Sequence, residues 1–364
     1  MSRFRSAHSG GETWRECVAG CIARLGKPGA GLGFVYFTDS LVPYAGQIVD
    51  ALREATGVSD WIGTVGVGVL ASGAEYLDEP AIAAMVAELP ATDYRVFSGR
   101  RGLPRASESG FGPHFGVVHA DPHTPDVAGL IADMSTKVES GYLVGGLSSS
   151  RAQTVQVAND VLSGGLSGAV FASGVRVSTR LTQGCTPLPG RHRVTECDSN
   201  VIAALDGRPA LEALRAAIGA DSARDLRREV QFIHVGLPVA GSDRGDYLVR
   251  NLLGIDLRSG LIAIGEIAEP GMEIIFCKRD EPSARADLER VLRELREASP
   301  AAPRGALYYS CLGRGEHMFG ARGAELAIVR ERLGDVPLVG FFCNGEISHD
   351  RLYGFTGVLT VFHD

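Results

Sequence analysis

One plan of secondary structure recurs along these 364 residues, and it limits what the chain can fold into more than any single motif does. Each copy has an apolar run of strand length, a helical segment with one apolar stripe, and a second apolar run punctuated by glycine. The plan is plainest near the C-terminus. Residues 306–311 are apolar and aromatic, as in a buried strand; Ala324, Ala327, Ile328 and Leu333 mark a helix that Gly334 stops. Pro337 then opens a second strand over 338–343, and 357–362 returns as a third. Residues 32–37, 43–55 and 61–70 repeat the plan, as do 115–119, 126–138 and 142–150 with a returning run at 166–173. Residues 230–278 read as a diverged fourth copy, with strand at 232–235, helix at 247–253 and strand at 260–267. Repetition on this scale means duplicated units that share a core. The expected fold class is α/β: duplicated strand-helix-strand units with mixed sheets and helices on the outer faces.

In such units ligands are met where strands give way to loops. The loop after the first C-terminal strand is Cys311-Leu312-Gly313-Arg314-Gly315-Glu316-His317, and the turn after the second is Asn344-Gly345-Glu346. A right-handed crossover makes the two strands parallel neighbours, so both loops leave one edge of the sheet. Arg314 and Glu346 are then expected to face one pocket. A guanidinium holds a carboxylate by two parallel bonds and a carboxylate accepts from an ammonium, so the pair matches a zwitterion. The same pair can instead brace the two loops as an internal salt bridge. Cys311 admits several readings: a buried strand-end thiol, a ligand contact, or a nucleophile with His317 or His349 as base.

Other features exclude more than they assign. A net charge of −7 disfavours non-specific attachment to nucleic acid or an anionic membrane. Apolar runs fall far short of the roughly 20 residues of a membrane span, and the polar stretch 1–11 lacks the centre of a signal peptide. A cytoplasmic location is expected, and the seven cysteines fit a reducing compartment. Cys17 and Cys21 share a helical face with Trp14, Val18, Ile22 and Leu25 and should pack as small apolar side chains. His114, His119 and His123 lie near Asp121, but Pro122 and Pro125 break regular ligand spacing, so no metal site is expected. The run 145–150 lacks the lysine that ends a P-loop, and Arg95, Arg100, Arg101 and Arg105 have little aromatic interleaving. Residues 195–202 read as one strand, Pro209 opens a helix that Gly219 stops, and 221–229 reads as a linker with a boundary near Arg227.

Several of these segments together resemble the FIST sensory-domain family: the Cys311-Leu312-Gly313-Arg314-Gly315 loop, GFFCNGEI at 340–347, TECDSNVIAALDGRPAL at 195–211, and Tyr247-Leu248-Val249-Arg250-Asn251. The resemblance spans about residues 30–362 and implies a FIST N domain at 30–227 and a FIST C domain at 228–362, after an N-terminal extension with a helix at 1–29. It implies a ligand-binding module of intracellular signal transduction that takes an amino acid or a similar small polar metabolite; with no kinase, DNA-binding or methyl-accepting segment read in the sequence, output is expected through a downstream signalling protein or through oligomerisation. It implies no catalysis; together with the charge, apolar-run and spacing arguments above, no cofactor, metal, nucleic-acid partner or membrane is expected. The ligand contacts expected are Cys311, Gly313, Arg314, Gly315, Asn344, Gly345 and Glu346. The alternative is a hydrolase or transferase with Cys311 as nucleophile, although no established nucleophile motif surrounds that thiol.

Overall fold

The first copy of the plan shows how the others are built. In the computed structural model, which describes residues 4–100, 102–103, 110–219, 226–239, 247–299 and 301–363 apart from the side chain at 227, β1 (Phe4–Gly10) leads through the helix Trp14–Leu25 to β2 (Leu32–Thr38). That helix begins on a capping box, in which Thr13 accepts from the Glu16 amide while the Glu16 carboxylate accepts from the Thr13 amide. The helix Ala45–Thr56 then crosses to β3 (Asp60–Gly66), which lies parallel to β2. A hairpin of β4 (Gly68–Ala71) and β5 (Ala74–Leu77) departs, and β6 (Ala81–Ala87) returns antiparallel between β1 and β2. β2 and β6 are buried at every residue, as strands covered on both faces must be. Helices supply one cover: Cys17, Cys21, Ile48 and Leu52 pack with Val35, Phe37, Ile82 and Ala84. The expected packing of both thiols on the helix face is thus what the structure shows.

The second copy runs β7 (Tyr94–Phe97), β8 (Phe115–Ala120), the helix Val127–Ser135, β9 (Tyr142–Leu147), the hairpin β10 (Gln156–Ala158) and β11 (Asp160–Leu162), and the returning β12 (Leu166–Phe171). The third begins with β13 (Val177–Gln183). It resumes with β22 (Gly305–Cys311), the helices Glu316–Phe319 and Ala324–Leu333, β23 (Leu338–Cys343), the hairpin β24 (Glu346–Ser348) and β25 (Arg351–Tyr353), and the returning β26 (Thr356–Phe362). In both, the first and second long strands are parallel and the last returns antiparallel to the first. Each hairpin leaves its own sheet: β4 pairs with β23, β10 with β3 and β24 with β9. The exchange is cyclic and yields three six-stranded sheets of one design, β1-β6-β2-β3-β10-β11, β7-β12-β8-β9-β24-β25 and β13-β26-β22-β23-β4-β5. The apolar run at 61–70 is therefore two strands in two sheets.

The three inner faces share one core. Phe34 and Tyr36 come from the first copy, Val117, Val144 and Phe171 from the second, and Leu307, Tyr309, Val339 and Phe341 from the third. Register sets Tyr36, His119 and Tyr309 at matching positions, and they meet there. The Tyr36 Oη lies 3.2 Å from His119 Nε2 and 2.9 Å from Tyr309 Oη. Burial pushes the His119 imidazole down to about 3, so it stands neutral in this core.

The fourth copy is a correction. Residues 184–286 form a compact unit of their own, separate from the unit made by 1–183 and 287–364. Its strands are β14 (Cys185–Pro187), β15 (His192–Asp198), β16 (Val201–Leu205), β17 (Arg208–Pro209), β18 (Ile233–Pro238), β19 (Tyr247–Asp256), β20 (Leu261–Ile264) and β21 (Glu273–Arg279). β18, β19, β20, β16, β15 and β21 pair in that order, all antiparallel, and β21 closes on β18 as a six-stranded barrel. The helix expected at 247–253 is the strand β19, because Tyr247 and Val249 are buried while Leu248 and Arg250, which alternate with them, are not, a period of two. The strand expected at 195–202 is a hairpin that turns at Ser199, whose φ is +53°. The helix Ala210–Ile218 follows Pro209 and stops at Gly219 as expected. Arg101, Arg105 and most of the expected linker lie outside the described residues. Among the described residues no helix is long and apolar enough to cross a membrane.

Candidate functional site

β22 and β23 are parallel neighbours with Cys311 beside Cys343 in register, so the loops beyond them leave the same edge of the sheet. The first loop folds back at once. The Arg314 amide donates to the Cys311 carbonyl at 2.8 Å and the Leu312 amide to the Cys343 carbonyl at 3.0 Å. Gly315 then takes φ +59° and ψ −141°, and a Cβ there would stand 2.7 Å from the Phe342 ring and 2.9 Å from the Glu75 carboxylate. Only glycine suits both the angle and the space.

This turn sends Arg314 inward, where it is 1% exposed. Its Nε donates to Glu325 Oε1 at 2.8 Å, and its Nη2 lies 2.6 Å from the same oxygen. Glu325 also accepts from Tyr308 Oη at 2.5 Å, Ser310 Oγ at 3.1 Å and the Gly315 amide at 3.3 Å. The guanidinium carbon stands 5.3 Å from the Phe319 ring centroid. Burial alone would favour loss of the Arg314 proton, but the Glu325 charge outweighs it and holds the guanidinium firmly charged. Glu325 carried no expected role. The helix stripe at 324, 327, 328 and 333 is rotated from the face the structure buries, which is Glu325, Leu326, Ile328 and Val329. The signal was available: Glu325 precedes Ile328 and Val329 by three and four residues, which puts a carboxylate on the buried face.

Glu346 opens β24 and is fully buried. Its Oε2 accepts from the Thr356 amide at 3.2 Å and Thr356 Oγ1 at 2.8 Å. Among the described residues neither Glu346 Oε1 nor Arg314 Nη1 has a hydrogen-bond partner. Burial pushes the Glu346 carboxyl up to about 8, against the Thr356 donors and the positive charge of Arg314, while the Glu325 charge raises it further. Arg314 and Glu346 thus share one electrostatic neighbourhood, although the direct partner of Arg314 is Glu325. In the second copy the residue that opens the exchanged hairpin is Gln156, whose Oε1 accepts from Ser167 Oγ at 2.6 Å and whose Nε2 donates to the Gly165 carbonyl at 3.2 Å. The third copy puts a carboxylate where the second has an amide with both ends engaged.

The remaining expected contacts divide. Gly345 is buried with φ +146°, and its carbonyl accepts from the Leu147 amide at 2.9 Å. Cys311 and Gly313 are half-buried, while Asn344 is exposed and its amide donates to the Leu147 carbonyl at 3.2 Å. His317 is exposed, and His349, also exposed, has Nδ1 2.8 Å from Asp350.

The Glu346 proton gives a pH dependence. The folded chain keeps that proton above the ordinary carboxyl value of 4.5 at which the unfolded chain releases it. Its stabilising contribution is complete below 4.5 and is lost as pH rises through about 8. Urea denaturation between those limits should show stability falling as pH rises, and Glu346→Gln should flatten that slope. An unchanged slope in the variant would assign the dependence to another group.

A FIST N domain matches residues 31–208 and a FIST C domain matches residues 210–349, so this chain belongs to the FIST family, whose domains are sensory domains of signal transduction. An uncharacterized protein of Mycobacterium tuberculosis is 31% identical over 352 residues, covering 92% of this chain and 90% of the relative. An uncharacterized protein of Mycobacterium bovis is 29% identical over 339 residues, covering 88% and 87%. The Arg314 and Glu346 segments both fall in the FIST C match, and the seam between the two matches falls inside the barrel unit 184–286.

Proposed function

We propose that the chain is a cytoplasmic sensor that binds a small polar metabolite, an amino acid or a molecule like it, at the Arg314–Glu346 cluster, and passes the event to another protein without changing the ligand chemically. One observation carries this reading: a buried guanidinium and a buried carboxyl each keep a hydrogen-bonding atom, Nη1 and Oε1, without a partner among the described residues. A buried polar atom left unpaired costs about 1–3 kcal/mol, which a ligand that pairs it restores. A ligand carboxylate suits Nη1. An ammonium suits Oε1 and would favour the ionised form of Glu346. In this reading the Cys311-to-Gly315 loop and the Asn344-Gly345 turn frame the approach.

A thermal-shift screen over amino acids and related metabolites tests the proposal. A ligand bound only by the folded state stabilises it by about 2.7 kcal/mol at a hundred times its Kd. Glu346→Gln should keep the fold and remove most of that shift. Nuclear magnetic resonance of the recovered ligand should show it unaltered; a changed product would favour the hydrolase or transferase with Cys311 as nucleophile.

A further inference from the structure

Cys311 and Cys343 end β22 and β23 and are partners in register across the parallel pair. Neighbouring strands stand about 4.8 Å apart, within the roughly 4.4–6.8 Å between Cα atoms that a disulfide spans. Parity places both side chains on one face. Leu307 and Tyr309 of β22 and Val339, Phe341 and Cys343 of β23 all enter the shared core, and Cys311 lies two residues beyond Tyr309. Neither sulfur is in a disulfide; Cys311 is half-buried and Cys343 is buried.

We infer that Cys311 and Cys343 form a modification site, a dithiol that hydroperoxides convert into a disulfide tying the ends of β22 and β23 together. The accessible Cys311 reacts first. Its sulfur attacks the peroxide, the O–O bond breaks as an S–O bond forms, and the leaving oxygen takes the thiol proton, giving a sulfenic acid and an alcohol or water. Cys343 then attacks that sulfur. The S–S bond forms, the S–O bond breaks, and the hydroxyl leaves with the Cys343 proton as water. The two sulfurs together lose two electrons, and the peroxide bond receives them. Burial, with the Glu346 and Cys311 charges adding to it, keeps the Cys343 thiol protonated, which suits a resolving role rather than first attack. The bond would stiffen both loops, since the Cys311 and Cys343 carbonyls already accept from the Arg314 and Leu312 amides.

The other thiols provide internal controls. Cys17 and Cys21 are buried on a helix with their sulfurs 3.5 Å from the Pro80 and Ile82 carbonyls, and Cys185 and Cys277 lie two positions out of register on β14 and β21; the Cys343 sulfur also reaches a carbonyl, that of Phe341 at 3.6 Å, and leaves it to meet its register partner. The experiment treats the reduced full chain with hydrogen peroxide, without ligand, then denatures, alkylates, digests without reductant and weighs the peptides. The expected result is loss of both free peptides, at Cys311 and Cys343, in favour of one linked peptide lighter by two hydrogens, restored by dithiothreitol, with the control thiols alkylated. Cys343→Ala, checked for its fold by circular dichroism, should instead stop at a sulfenic acid on Cys311 that dimedone traps. Sulfinic acid on Cys311 with Cys343 still alkylated in the wild-type chain, or no reaction at either, would overturn the inference. No ligand enters the test, so its outcome is independent of the proposed sensing role.

Discussion

Glu325→Ala is expected to remove about 3–5 kcal/mol of stability, the usual effect of leaving a buried charge without its partner. Arg314 is 1% exposed and cannot turn to water for compensation without unfolding its loop. The loss is compounded because Tyr308, Ser310 and the Gly315 amide all donate to the same carboxylate. Glu325→Gln keeps the shape and two of the acceptor directions, so it should cost less than the alanine variant. Arg314→Ala should also destabilise, by exposing the Glu325 charge to the same burial without a cation. Of the two residues expected from the sequence to contact ligand charge, only Glu346 can then be changed to an isostere without disturbing an ion pair. Urea denaturation of the four chains would decide the matter. An unmoved midpoint for Glu325→Ala would mean that the Arg314 guanidinium finds solvent or another carboxylate when Glu325 is removed.

What the sequence makes legible follows from the range of the interactions involved. β22, β23, β26 and the helix between the first two can be read directly, because burial on both faces demands apolar runs and glycine marks the ends. The exchange of β4, β10 and β24 into neighbouring sheets leaves no local trace. These strands are three or four residues long, and their partners lie in other copies of the plan. The barrel resembles a fourth copy because a short apolar run reads alike in a parallel unit and in an antiparallel one. At the site, the two loops and their common edge are legible from crossover handedness, whereas Glu325 is hidden by the assumption that a buried helix face is wholly apolar. The stability of Arg314 depends on that hidden residue.

Gly340→Ala is expected to prevent folding or to cost more than about 4 kcal/mol, a range reserved for a few mechanisms of which backbone collision is one. A Cβ on Gly340 would lie 1.7 Å from the Tyr308 carbonyl oxygen and 2.6 Å from its carbonyl carbon. Those atoms are backbone and cannot rotate away. β23 would have to separate from β22, and the pairs from Ala306↔Leu338 to Cys311↔Cys343 would go with it, including the edge that carries Arg314 and Glu346. The cyclic design makes the same demand twice more: a Cβ on Gly63 or Gly145 would lie 1.7 Å from the carbonyl oxygen of Val35 or Val118. Gly63→Ala and Gly145→Ala should therefore fail in the same manner as Gly340→Ala, and Gly145→Ala more severely, since its φ is +150°. Gly99→Ala, where a Cβ meets nothing within 4 Å, is the control and should stay within about 0.5 kcal/mol of the parent. Soluble yield and thermal melts of the four variants provide the measurement. A Gly340→Ala chain that melts with the parent would show that β22 and β23 can part without loss, and the close approach of first and second strands would no longer explain why glycine stands at the same place in all three copies.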